Sequence, residues 1–176
     1  LLMSHLQENI DNVEIPQKIQ FNRMMTQLGL CAFRAGLVKE AHHCLSEVSQ
    51  GGRIREMLAQ GVRFRRWGQE RNDEEEKAQR RRLVPFHMTI NEQIIDLFHL
   101  TSAMLLEVPN MAAQQYGDNS QTQDAYYRNR VISKIFRRML HSAEHQVFVG
   151  PPENVREHVM AAAGHMKTGD WKTALG

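Results

Sequence analysis

Apolar residues recur every three to four positions along most of this chain, and strict apolar–polar alternation is nearly absent. That periodicity predicts helices and no convincing strand. Residues 1–9 read as the end of a helix, and Asp11 to Ile15 as a connection. Pro16 suits the first turn of the next helix, where its missing N–H costs nothing. That helix runs to about Ala35. Gly36 stops it, and a second helix covers about Val38 to Val48, so a hairpin is expected over about 17–50. Gly51-Gly52 breaks the chain again. A long charged helix is expected over about 53–83, with Ile54, Met57, Leu58 and Val62 at core spacing before an almost wholly charged stretch, Glu70 to Arg82. Pro85 ends it.

The most apolar stretch is about 89–107. Its apolar residues cover most of a helix circumference, which predicts a central, buried helix. Thr89 with Glu92 three residues on resembles a capping box, and Pro109 is expected to interrupt the helix. About 114–124 is polar and aperiodic and reads as a mobile loop. A helix over about 125–145 carries Val131, Ile132, Ile135, Phe136, Met139 and Leu140 as one stripe. Gly150-Pro151-Pro152 breaks the chain before an incomplete hairpin over about 153–176.

Two segments share a spacing. Gly29, beside Leu28, is followed seven residues later by Gly36, nine by Val38 and twelve by Ala41, with Leu45 further on. Ala162 is followed at the same intervals by Gly169, Trp171 and Ala174. This is the register of the tetratricopeptide helix–turn–helix unit. A small residue lets two antiparallel helices approach, and a glycine at positive φ ends the first of them. The large residue after the turn is expected to pack between the helices. Two ordinary hairpins with coincident glycines would be the plainer account. The fold class predicted is all-α: antiparallel helical hairpins stacked as a tetratricopeptide-like superhelical array, one segment over 1–176. The absent initiator Met and the half-hairpin at Leu175-Gly176 point to an excerpt of a longer chain.

Composition adds limits. Of 176 residues, 41% are hydrophobic and 24% charged, an ordinary balance for a folded domain. Two cysteines, Cys31 and Cys44, cannot build a disulfide framework and fit a reducing, cytoplasmic setting. No apolar run approaches the roughly 18 residues of a membrane-spanning helix, so no membrane partner is expected. The first residues lack a signal peptide's basic region and cleavage site. The net charge of +2 does not itself predict nucleic-acid binding, but its distribution is uneven. Residues 53–82 hold ten basic and six acidic residues, a net +4. Arg53, Arg55, Arg63, Arg65, Arg66, Arg80, Arg81 and Arg82, with Trp67 as a stacking surface, are the candidate partner or RNA contacts. An acidic protein partner fits them too, as does a solvated helix with pairs such as Glu76–Arg80.

The chemistry of enzymes is weakly represented. His141 and His145 sit four residues apart, as two metal ligands on a helix would, and His-x-x-Glu-His matches the inverted zincin order. A third ligand and supporting context are missing. Cys31 with His42 or His43 lacks an orienting partner and an oxyanion loop, and both cysteines read as buried packing thiols. Most of the ten methionines fall on core stripes. No Gly-rich phosphate loop occurs. No catalytic, cofactor-binding or metal residue is assigned, and no enzyme is expected.

Three stretches carry a more specific likeness: Gln27 to Ala41 (QLGLCAFRAGLVKEA), Arg81 to Ala113 (RRLVPFHMTINEQIIDLFHLTSAMLLEVPNMAA) and Gly150 to Thr173 (GPPENVREHVMAAAGHMKTGDWKT). They resemble the c subunit of eukaryotic translation initiation factor 3, and the similarity runs over the whole chain, most weakly over Gln114 to Tyr127. The resemblance implies a PCI-type scaffold subunit and the helical-repeat region before its winged helix. It implies no catalytic residues. The implied role is holding other factor subunits together and supporting recruitment to the small ribosomal subunit and mRNA. Implied partners are the other subunits, especially those with PCI domains, and the small ribosomal subunit, with direct RNA contact left open. Relatives in the proteasome lid and the COP9 signalosome, and tetratricopeptide peptide-binding modules, remain alternatives.

Overall fold

The computed structural model describes residues 5–49, 53–61, 73–116, 130–146 and 150–175. Among them, all regular structure is helical and no strand occurs. The α-helices are α1 (Ile15–Arg34), α2 (Val38–Ser49), α3 (Ile54–Met57), α4 (Asp73–Arg81), α5 (Glu92–Tyr116), α6 (Lys134–Glu144), α7 (Val155–Lys167) and α8 (Trp171–Leu175). Helix α1 pairs with α2, α2 packs on α5, α5 on α7, and α7 on α8, while α6 bridges α5 and α7. The fold is thus a row of antiparallel helices threaded by the 25-residue α5.

Both hairpin turns close in one way. Gly36 (φ +81°) and Gly169 (φ +86°) occupy the left-handed region, open to glycine at no steric cost. Gly36 N–H donates to the Phe33 carbonyl at 2.9 Å and Leu37 N–H to Ala32 at 2.9 Å. Gly169 N–H donates to Met166 at 3.1 Å and Asp170 N–H to His165 at 3.0 Å. Each pair is a Schellman cap that satisfies carbonyls a helix end would orphan. Gly29 is the close-approach residue: a Cβ there would lie 2.7 Å from Leu45 Cγ and 3.2 Å from Cys44 Cβ. Leu45, fully buried, packs against it, and Ala41 one turn earlier on α2 is fully buried too.

The other residues of the two segments are less enclosed. Leu28 is 40% exposed, and Trp171, close to the last described residue, is 60% exposed. The gap beside Gly29 is already taken by Leu45, and α8 has α7 as its main neighbour. Trp171 instead carries Lys172 Nζ 5.8 Å from its ring centroid. Val38, Ala162 and Ala174 are half-buried.

No continuous helix spans 53–83. Helix α3 stops after one turn because Ala59 takes a left-handed φ of 54°. Ala59 N–H caps on Glu56 (3.1 Å) and Gln60 N–H on Arg55 (2.7 Å), the same Schellman pattern without a glycine. The Gln60 amide then clamps Ile90, accepting from its N–H at 2.6 Å and donating to its carbonyl at 2.8 Å. Residues 62–72 lie outside the described residues.

Helix α5 also departs from expectation. Asn91 caps it, accepting from Gln93 N–H at 2.9 Å, while Thr89 Oγ1 donates to the Phe86 carbonyl. Pro109 lies inside it, and Gln114 to Tyr116 are its last turn; 117–124 of the expected loop are outside the described residues. One core cluster gathers Met25, Leu45, Val48, Leu58 and Ile95. A second gathers Leu100, Ala103, Phe136, Leu140 and Met160. Ile94, Leu97 and Leu105 remain exposed, so α5 is buried on less of its circumference than its composition suggested. Helix α6 is shorter than 125–145: Ser133 caps it, accepting from Phe136 N–H at 3.3 Å, and residues 130–133 precede it. Cys44 is buried as expected, and Cys31 is exposed.

Candidate interaction surfaces

The arginines of the 53–82 cluster meet different fates. Helix α4 has no buried residue. Its first turn is acidic and its last basic, which suits the helix dipole. Arg80 pairs with Glu76 at 2.6 Å, and Arg55 is ion-paired to Glu92 at the start of α5. Arg53, Arg81 and Arg82 are exposed. Arg63, Arg65, Arg66 and Trp67 fall outside the described residues. After α4, Phe86 is 92% exposed and Met88 is also exposed.

Apolar side chains are left exposed on α1 and on α5. Met24 and Leu28 lie one turn apart on α1, and Ile94, Leu97 and Leu105 share one side of α5. Exposed apolar groups collected on a face mark surfaces that meet other protein.

A buried polar seam organises the middle of the molecule. Glu107 is fully buried. Its carboxylate accepts from the Ile132 and Ser133 N–H groups, both at 2.8 Å, and is ion-paired to Arg137 Nε. Arg137 also donates to Gln114 Oε1 at 2.8 Å. This knot fixes where α6 begins. Nearby, the buried His42 of α2 and His99 of α5 stack with ring centroids 5.5 Å apart. Burial pushes the His99 pKa down to about 4, helped by His42, against the opposing pull of Asp96. Burial also lowers His42, against Glu107. Cys44 is raised, chiefly by burial. Arg156 of α7 grips Asp96 of α5 with two donors at 3.0 and 2.7 Å.

His141 and His145 touch, ring centroids 4.1 Å apart, and His145 Nδ1 lies 2.8 Å from the His141 carbonyl. Glu144 turns away to Lys167 at 2.8 Å. Among the described residues, no group of three or more His, Cys, Asp or Glu side chains is placed to hold a metal ion, and no helix is long and apolar enough to cross a membrane.

Sequence reasoning missed Glu107 and the outward face of α6. The signal for the first was a lone carboxylate in the apolar run Met104 to Val108. For the second it was the stretch 125–143, with five basic residues and no acidic one.

The architecture defines an all-α protein of stacked helical hairpins, of the repeat-array class. The family described as eukaryotic translation initiation factor 3 subunit 8 N-terminus matches residues 1–118. Over 173 residues, 98% of this chain, the chain is 49% identical to the C subunit of eukaryotic translation initiation factor 3 from Xenopus tropicalis and 50% identical to that of Danio rerio. It is 48% identical over 174 residues to that of Coccidioides immitis. The chain covers 18% of the length of the first two proteins and 19% of the third. It therefore belongs to the family of the C subunit of eukaryotic translation initiation factor 3.

Proposed function

We propose that this chain is a structural segment of the multi-subunit translation initiation factor 3, holding other subunits in place and supporting recruitment to the small ribosomal subunit and mRNA. It works in the cytoplasm and carries no catalytic centre. The observation that carries the reading is the 49% identity to a C subunit of the factor along 98% of the chain, with the family model matching residues 1–118. The physical support is the row of stacked hairpins with apolar faces open on α1 and α5. In such arrays each helix pair contacts its neighbours, and the outer faces are available to partners. The other PCI-containing subunits are the partners proposed for them.

The test is affinity purification of the tagged full-length parent chain, with and without RNase, read by mass spectrometry. Initiation-factor subunits that persist through RNase are the expected result. Proteasome-lid or signalosome subunits in their place would keep the fold and overturn the function.

A further inference from the structure

We propose that the loop 84–90 is a docking knob, and that Phe86 at its tip inserts into an apolar pocket, edged by carboxylates, on another subunit of the initiation factor. Phe86 is 92% exposed, and Leu83 and Met88 on either side of it in the chain are exposed too. Single apolar residues scattered on a surface need no explanation. Three within six residues, one of them a phenylalanine almost wholly in water, mark a surface that a partner covers.

The loop is built to hold that tip still. Its two ends are pinned to adjacent residues: Val84 N–H donates to the Ala59 carbonyl at 2.9 Å, and Ile90 is clamped by the Gln60 amide. Ala59 itself stands at a φ of 54°, a strained conformation for alanine that persists only where the surroundings enforce it. Between the ends, Met88 N–H donates to the Pro85 carbonyl at 2.9 Å. Thr89 donates to the Phe86 carbonyl twice, from Oγ1 at 2.7 Å and from its N–H at 3.1 Å. Arg23 reaches from α1 to the Met88 carbonyl at 2.6 Å. None of these bonds uses the Phe86 side chain. A short loop with joined ends and internal bonds of its own is preformed, and a preformed anchor loses little freedom on binding.

The flanking chemistry selects a protein pocket. Nucleic-acid bases stack on aromatic rings or guanidinium planes, and Leu83 and Met88 offer neither. An aromatic anchor with apolar neighbours is instead the usual centre of a protein interface. The rim follows from charge. Arg81 and Arg82 are exposed just before the loop, and among the described residues neither pairs with a carboxylate, whereas Arg80 is held by Glu76. Cations beside an apolar anchor are complementary to a pocket with acidic edges. The inference rests on the scaffold reading above and states the chemistry of one of its contacts.

The test places the photoreactive p-benzoylphenylalanine at residue 86 of the full-length chain in the assembled factor, and maps the cross-linked peptide by mass spectrometry. The expected product joins residue 86 to another subunit of the factor, at apolar residues bordered by Asp or Glu. Affinity of the full-length chain for that subunit should then fall about thirtyfold with Phe86→Ala, at an unchanged thermal midpoint because the side chain is exposed. Arg81→Glu with Arg82→Glu should slow association and reduce its salt dependence. A cross-link to RNA, to this same chain or to nothing would overturn the proposal, as would unchanged affinity in Phe86→Ala. A wild-type factor that does not assemble around the tagged chain would sink the scaffold reading and this one with it; an intact factor without the expected cross-link sinks this one alone.

Discussion

Glu107→Ala is expected to destabilise the chain by about 3–5 kcal/mol, the usual cost of removing one partner from a buried ion pair. The carboxylate is fully buried and satisfies two backbone donors, Ile132 and Ser133, at 2.8 Å each. It also faces Arg137, whose side chain is only 28% exposed, and Asn110 Nδ2 at 3.3 Å. Truncation leaves a partly buried guanidinium without its charge partner and two N–H groups without an acceptor. Glu107→Gln keeps the shape but turns one acceptor into a donor, so its loss should be smaller yet clear. The reading is the midpoint of denaturant unfolding at unchanged slope. An unmoved midpoint in both variants would mean that the knot does not hold α6 in place.

Acidification should destabilise the protein through its histidine pair. His99 titrates near pH 4 in the folded chain against an ordinary 6.5, mainly because it is buried. Above pH 6.5 it is neutral in both states, and its burial has no pH dependence. As the pH falls from 6.5 towards 4, the unfolded chain takes up a proton that the folded chain refuses. Stability therefore drops through that window, by roughly 3 kcal/mol in all, and levels off below it. His42, lowered for the same first reason, adds in the same direction. Unfolding midpoints collected from pH 7.5 to pH 4, as a rough span of this window, would show the fall. His99→Phe should remove most of it; a His99→Phe curve parallel to wild type would assign the pH dependence elsewhere.

The sequence announced those parts of the fold that local rules control. The α1–α2 turn was readable because its left-handed position is a glycine and its close approach another, Gly36 and Gly29. The same cap at Ala59 was not, since an alanine at positive φ has no compositional mark and is held by Gln60 and the returning chain at Val84 and Ile90. Pro109 misled in the opposite sense. It removes one helical hydrogen bond, but α5 is held by α2 on one side and α7 on the other, and the helix runs on to Tyr116. Thr89 offered a plausible cap, yet Asn91 is the residue whose side chain reaches a free N–H of the helix.

The interaction surfaces were less legible for a related reason. A basic residue counts as a contact only if no carboxylate claims it, and that depends on folding. Glu92 lies 37 residues from Arg55 yet pairs with it. Arg137 stands in a cation-rich stretch of sequence, and Glu107, 30 residues away, draws it inward. What remains on α6 could be read as a run without acids, while the lack of a carboxylate partner for Lys134 and Arg138 among the described residues needed the fold.

The most direct measurement is hydroxyl-radical footprinting of the intact initiation factor, read at single side chains by mass spectrometry. Met24, Phe86, Met88 and Trp171 are exposed in this chain, whereas Met25 and Met160 are buried. If the segment is a scaffold, partners cover the open face of α1, and Met24 should be labelled about as slowly as Met25. Labelling of Met24 in proportion to its exposure in this structure would mean that this face meets only water, and would contradict the scaffold account.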